Sequence, residues 1–166
     1  MSAAATDSPD LIKLPVQSPH PSTSALIARL AEKFDATWVD EASVGPWAEQ
    51  GGDRVVLLAG DPVQFPEGLD VAVVLPELQR SQTRRFELAV VARDHEDAVA
   101  RRYGSQRWPT LVFLRDGRYV TAISGMHDWE AFVERVSQAL AMPVSRAPTI
   151  GIAVVSAAGS AGAACH

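Results

Sequence analysis

Apolar positions in the central part of the chain follow two periodicities. At 23–35 they recur with the three-and-four spacing of a helix face, after Ser and Thr residues that suit an N-cap, and at 54–59 they form an unbroken run typical of a buried strand. Comparable signals continue to residue 142. They predict helices over 23–35, 42–50, 69–82, 96–103 and 127–141, and strands over 36–39, 54–59, 86–91, 108–114 and 119–124.

The order of these elements indicates the fold class. Strands that alternate with helices favour parallel pairing, with helices on both faces of the sheet. The Asp-Gly pair at 116–117 predicts a tight turn, which joins the last two strands as an antiparallel hairpin. Residues 60–68 hold two prolines and two glycines and predict a loop, and Pro76 is expected to interrupt and bend the following helix. The prediction is therefore an α/β fold with a mixed central sheet.

The two ends of the chain differ from this core. Residues 1–22 contain four of the eleven prolines and predict a flexible N-terminal lead, while 143–166 are rich in Ala and Gly and predict a flexible tail. The domain is therefore expected to span 23–142. The N-terminus lacks the basic and apolar regions of a signal peptide, and the apolar run Ile150–Val155 is shorter than the ~20 residues that span a bilayer. We expect a cytoplasmic protein that is not inserted in a membrane.

Charge and cysteine content exclude several classes of function. The net charge is −5, from 15 basic and 20 acidic residues, which argues against binding to nucleic acid through counterion release. A single cysteine, Cys165, excludes an internal disulfide, a Cys-x-x-Cys pair and a four-thiolate cluster. We therefore expect neither a metal nor another cofactor, and no catalytic residue. A thiol oxidoreductase or peroxidase that uses Cys165 is kept as an alternative.

Residues 104–125 carry a specific resemblance. The stretch Trp108-Pro-Thr-Leu-Val-Phe-Leu114, preceded by Gly104 and followed by Asp116-Gly117 and Gly125, resembles thioredoxin, and the likeness extends over 36–142. It implies a three-layer sandwich in which Pro109 is cis and faces the active-site loop. Thioredoxins place Cys-x-x-Cys in that loop, whereas Asp61–Pro66 contains no sulfur. Thiol–disulfide exchange needs an attacking thiolate, so the core is not expected to catalyse it.

A narrower resemblance covers 23–142. Val55-Val-Leu-Leu58, the Asp61-Pro62 pair, Trp108-Pro109 and Gly125-Met-His-Asp-Trp129 are similar to the HyaE/HupG/HoxO family, cysteine-free thioredoxin-like accessory proteins of uptake [NiFe] hydrogenase operons. This resemblance implies a non-catalytic maturation chaperone. It would bind the [NiFe] hydrogenase small-subunit precursor, including its twin-arginine signal peptide, before export, with other maturation proteins as further partners. A general peptide-binding module with a different client is the second alternative.

The likeness to thioredoxin also implies a groove where the loops 60–67, 106–109 and 125–128 meet, and we expect the client to bind there. An extended peptide would add to the backbone before the cis-proline, apolar side chains would contact its apolar stretch, and carboxylates would pair with its arginines. The candidate residues are Asp61, Phe65, Glu67, Trp108, Pro109, Met126, His127 and Asp128.

Several of these residues also allow a purely structural interpretation. Trp108 either contacts a client or only covers the edge of the core. His127 either caps the last helix or lies exposed, and Asp61 either faces the client or only forms the turn before Pro62. Trp129 is expected in the core, as part of the apolar stripe of the last helix.

Overall fold

The computed structural model describes residues 22–149, and the predicted order of ten elements is confirmed within them. The helices are α1 (Ala25–Lys33), α2 (Val44–Ala48), α3 (Glu67–Ser81), α4 (Arg93–Arg102) and α5 (Trp129–Ala141). The strands are β1 (Thr37–Val39), β2 (Asp53–Leu58), β3 (Glu87–Val91), β4 (Thr110–Arg115) and β5 (Arg118–Ser124).

The predicted boundaries lie within three residues of the observed ones. α1, α2, α5 and β4 begin two residues later than predicted, whereas α3 and α4 begin earlier. Helix α3 begins at Glu67 rather than at 69, because Pro66 occupies its N-cap position and the loop before it is shorter than expected. Helix α4 begins at Arg93 rather than at 96, with acidic residues in its first turn that favour a helix N-terminus. Pro76 lies inside α3, and the helix continues through it, so the predicted interruption does not divide the helix.

The strands form one mixed sheet in the order β1-β3-β2-β4-β5. β1, β3 and β2 pair in parallel, β4 pairs antiparallel with β2, and β5 pairs antiparallel with β4. The unbroken apolar run therefore forms the central strand, β2, which is covered on both faces.

Alternate residues of β2 separate the core into two layers of side chains. Val55 and Leu57 pack with the apolar faces of α1, α3 and α5, while Val56 and Leu58 pack on the other side with α2 and α4. The result is a three-layer α/β sandwich. It brings the end of β2, the start of β4 and the end of β5 to the same edge of the sheet, because Leu58 pairs with Thr110 and Thr110 with Ser124.

The described part of the predicted tail lies against the domain. Ser145 donates from its backbone N to the Tyr119 carbonyl at 2.7 Å and from its Oγ to the Val120 carbonyl at 2.8 Å. Pro148 packs on Gly104, where a Cβ would come within 2.0 Å of the Pro148 carbonyl oxygen. The lead before Ser22 and the predicted features at 150–166, including Cys165, lie outside the described residues. Between residues 22 and 149, no helix has the length and apolarity needed to cross a bilayer.

Candidate functional site

The site begins at the end of β2, where the chain turns sharply into a short loop. Gly60 has a φ of +81°, a backbone conformation that residues with a Cβ rarely adopt. Asp61 then organises the turn, because its Oδ1 accepts hydrogen bonds from the backbone N–H groups of Val63 (2.8 Å) and Gln64 (3.1 Å). These N–H groups, Gln64 first, lower the pKa of Asp61 below its usual value. The contacts of Asp61 are therefore those of a residue that forms the turn.

Two aromatic side chains stand beside this turn. The rings of Phe65 and Trp108 lie with their centroids 6.4 Å apart and their planes at 40°. Both approach Gly60 closely: a Cβ on Gly60 would lie 2.9 Å from the Trp108 Cβ and 3.0 Å from Phe65 Cδ2. The absence of a side chain at Gly60 thus lets both aromatic residues pack onto the end of β2.

The loop before β4 is joined to the loop before α5. The Trp108–Pro109 bond is cis, which confirms the expectation from the resemblance, and the Pro109 carbonyl accepts a hydrogen bond from Gly125 N at 2.8 Å. Thr110 Oγ1 lies 2.8 Å from Ser124 Oγ and donates to the Arg107 carbonyl at 2.6 Å. These bonds hold the predicted second and third loops of the groove next to each other.

A shallow cavity of about 330 Å³ lies between these loops. Its lining residues are Phe65, Gln106, Arg107, Trp108, Ser124 and Gly125. Of the predicted site residues, it therefore brings Phe65 and Trp108 together, with Pro109 buried behind them. The one charged side chain in this lining is the cation Arg107, which sequence reasoning did not assign to the groove.

The three predicted carboxylates do not line the cavity. Asp61 is held in the turn, and Glu67 lies exposed in the first turn of α3 rather than in the loop. Asp128 is exposed at the N-cap position of α5, where its carbonyl accepts from Phe132 N at 2.8 Å. The cavity lining thus combines aromatic, neutral polar and basic side chains, and the acidic side chains belong to the surrounding loops and helix starts.

The start of α5 and the segment before it differ from expectation at two residues, His127 and Trp129. Met126 is exposed, and His127 is half-buried, with its Nε2 2.9 Å from the Ser124 carbonyl and its ring edge-on to Phe132 at 5.3 Å. His127 therefore neither caps α5 nor lies free in solvent. The prediction that Trp129 is a core residue was wrong: it is 47% exposed, because the buried stripe of α5 begins one turn later, at Phe132.

Sequence reasoning missed a buried charged residue beside the site, Glu96. Its carboxylate accepts hydrogen bonds from the backbone N–H groups of Ala59 at 2.6 Å and Gly60 at 3.1 Å, and Arg93 lies 3.4 Å away. The signal was present in the pattern, since Glu96 stands one helical turn before Val99 and Ala100 on the buried face of α4. Among residues 22–149, no three His, Cys, Asp or Glu side chains are grouped as a metal site would need.

The fold is similar to that of a solved thioredoxin structure. A thioredoxin variant from Halobacterium salinarum is 18% identical, with a TM-score of 0.51 over 66% of this chain and 94% of that structure, and this likeness shows the fold alone. The described residues thus have a thioredoxin-like fold, and the loop at 60–67, where the resemblance places the thioredoxin redox pair, contains no cysteine.

The family follows from closer comparisons. A family model described as hydrogenase-1 expression protein HyaE matches residues 26–132. The hydrogenase expression/formation protein HoxO of Cupriavidus necator is 54% identical over 154 residues, 90% of this chain and 94% of that protein. The hydrogenase expression/formation protein HupG of Bradyrhizobium diazoefficiens is 38% identical over 123 residues, 74% of this chain and 82% of that protein. The chain belongs to the HyaE family, as the sequence motifs predicted.

Proposed function

We propose that this protein is a non-catalytic maturation chaperone for an uptake [NiFe] hydrogenase. It binds the small-subunit precursor, together with its twin-arginine signal peptide, in the cytoplasm before export. Membership of a family of hydrogenase expression proteins supports the process, and the groove supports the mode of action.

The observation that carries the proposal is a groove with aromatic walls and no cysteine. Phe65 and Trp108 present apolar surface at the edge of the sheet where a thioredoxin holds its reactive thiols. Aromatic residues in a shallow cavity are typical anchors for a protein partner. Without an attacking thiolate in the groove, the same position serves to hold a chain.

The charges around the groove suggest how such a peptide lies. Arg107 lines the cavity and repels the guanidinium groups of a twin-arginine motif, so the apolar stretch of the peptide is the part that enters. The arginines then lie outside, within reach of exposed carboxylates such as Glu67 and Asp128. Arg–carboxylate pairs are frequently bidentate and charge-assisted, which would fix the direction of the peptide.

A direct binding experiment tests the proposal. The full-length chain is titrated by calorimetry with the small-subunit precursor, with the same precursor lacking its signal peptide, and with the signal peptide alone. We expect binding that Trp108→Ala weakens and that Trp129→Ala, a change at an exposed tryptophan outside the cavity lining, leaves unchanged. If none of the three ligands binds, the proposal is wrong.

Two alternatives give different results in cheap assays. A general peptide-binding module would bind unrelated extended peptides as tightly as the hydrogenase signal peptide. A thiol oxidoreductase would reduce insulin or turn over peroxide, and Cys165→Ser would abolish that activity.

A further inference from the structure

Glu96 is a buried acid that the proposed binding mode does not use. Its side chain is only 3% exposed, although it lies on the apolar face of α4. Isolated buried carboxylates are unfavourable, so those that occur have partners that hold them in place. The backbone partners of Glu96 are Ala59 and Gly60, where the chain leaves β2 and enters the first groove loop.

The carboxylate holds the point at which the chain leaves the sheet. Its Oε1 accepts from Ala59 N at 2.6 Å and from Gly60 N at 3.2 Å, and its Oε2 accepts from Gly60 N at 3.1 Å. Since Phe65 and Trp108 both pack against Gly60, a movement of this glycine displaces both walls of the cavity.

Arg93 provides a second connection to the groove. Its NH1 lies 3.4 Å from Glu96 Oε2 and 3.4 Å from Asp97 Oδ1, and its guanidinium carbon lies 5.9 Å from the centre of the Trp108 ring. Its backbone N donates to Thr23 Oγ1, which fixes the start of α4. The buried carboxylate thus reaches the aromatic wall through a cation that is shared with an exposed acid.

We propose that Glu96 and Arg93 are positioning residues of the groove. The ionised carboxylate holds Gly60 and keeps the guanidinium at Trp108, and protonation releases Arg93 toward Asp97 and loosens the wall. This inference rests on the proposed function for its consequence, which is that client affinity falls as Glu96 takes up a proton.

The surroundings of Glu96 place this change near neutral pH. Burial, the largest effect, raises its pKa to about 7 against the opposing effect of the Gly60 and Ala59 N–H groups and of Arg93. A small cavity of about 20 Å³ beside it is lined from α1, α3, β3 and the groove loop, and its only charged lining residues are Arg93 and Glu96. The other charged neighbours are Asp97 on α4, which raises this pKa, and Asp61 in the loop, which interacts with Arg93.

Nitrogen-15 NMR of the full-length protein between pH 5.5 and 8.5 tests the coupling without any client. In the wild type we expect one common midpoint near 7 for the backbone N–H of Ala59 and Gly60 and for the indole N–H of Trp108. Glu96→Gln removes the midpoint at all three groups, and Arg93→Gln removes it at Trp108 alone. Glu77→Gln, a matched change at an exposed carboxylate on α3, leaves all three midpoints in place.

The outcome can overturn the inference in two ways. If the wild type shows no common midpoint, or if Glu96→Gln retains it, Glu96 does not control the groove, and the wild-type titration decides this even if the variant fails to fold. If Arg93→Gln leaves the Trp108 midpoint unchanged, the connection through Arg93 is wrong.

Precursor binding separates this inference from the proposed function. We expect the affinity of the wild type to fall at least threefold between pH 8 and pH 6, and that of Glu96→Gln to be low and to change less. Binding with the same pH dependence in both proteins refutes the inference and leaves the chaperone function intact. A common NMR midpoint with no precursor binding at any pH refutes the function and leaves the positioning role intact.

Discussion

The close packing of two aromatic side chains on Gly60 allows a quantitative prediction. An alanine there would keep a φ near +81°, which costs about 1–2 kcal/mol for a residue with a Cβ. The new Cβ would also lie 2.9 Å from the Trp108 Cβ, 3.0 Å from Phe65 Cδ2 and 3.2 Å from the Trp108 Cγ. Such overpacking adds a further cost of about 1–3 kcal/mol. We expect Gly60→Ala to lower the free energy of unfolding by about 2–5 kcal/mol.

Gly125 provides the matched control for this change. It has a φ of +85°, and a Cβ on it would meet no atom within 4 Å. Gly125→Ala therefore has only the conformational cost of about 1–2 kcal/mol. The difference between the two variants, about 1–3 kcal/mol, isolates the clash with the aromatic walls.

Urea denaturation followed by circular dichroism measures both variants against the wild type. The comparison is made on transition midpoints at a common slope, because a changed slope would indicate a changed unfolded or native ensemble. Precursor binding is measured in parallel, and Gly60→Ala is expected to weaken it more than Gly125→Ala does. Equal destabilisation by the two variants would show that Phe65 and Trp108 are free to move away from Gly60, which would contradict the close packing of both side chains on this glycine.

Four further predictions use the same methods. Trp108→Ala is expected to weaken precursor binding by about 2–4 kcal/mol but to lower stability by only about 1–2 kcal/mol, because the side chain is half-buried; equal precursor affinity would make it purely structural. Trp129 is 47% exposed, so Trp129→Ala should leave the urea midpoint nearly unchanged. Phe132 on the same helix is only 1% exposed, so Phe132→Ala should lower the free energy of unfolding by about 3–5 kcal/mol. Similar midpoints for the two variants would contradict the packing of α5. Arg115→Met should lower the free energy of unfolding by about 2–3 kcal/mol, because the Arg115 guanidinium donates to a buried carboxylate and to two carbonyls at the end of α5. An unchanged urea midpoint would argue against those hydrogen bonds. The pKa of Glu96 rises from 4.5 to about 7 on folding, so between these values the folded state retains a proton that the unfolded state has lost. Wild-type stability relative to Glu96→Gln should therefore fall by up to about 3 kcal/mol as pH rises from 4.5 to about 7 and level off above that; a pH-independent difference would contradict this.

The predictable part of the site was the part with a local signature. Three features were predicted from short stretches whose residue types restrict the backbone or match a family motif. They are the cis bond before Pro109, the turn at Asp61 and the position of the aromatic residue Trp108 next to that proline. The two helix starts that come earlier than predicted were also local errors, made where Pro66 and the first turn of α4 allow a helix to begin before the apolar stripe does.

The partners of charged and aromatic side chains were not predictable in the same way. Glu96 accepts hydrogen bonds from residues 36 and 37 positions earlier in the chain, and the register that brings them together depends on how α4 packs against the end of β2. The exposure of Trp129 likewise depends on where α5 meets the sheet, which the periodicity of the helix does not specify.

The sequence by itself determined the order of the elements, the thioredoxin-like class, the family and the absence of cysteine from the groove. These properties depend on residue type and spacing, which act over a few neighbouring positions. Only the tertiary structure decided that Arg107 rather than a carboxylate lines the cavity, and that a buried acid lies beneath Gly60. Those contacts join residues distant in the chain, and their geometry is set by the packing of whole helices on the sheet.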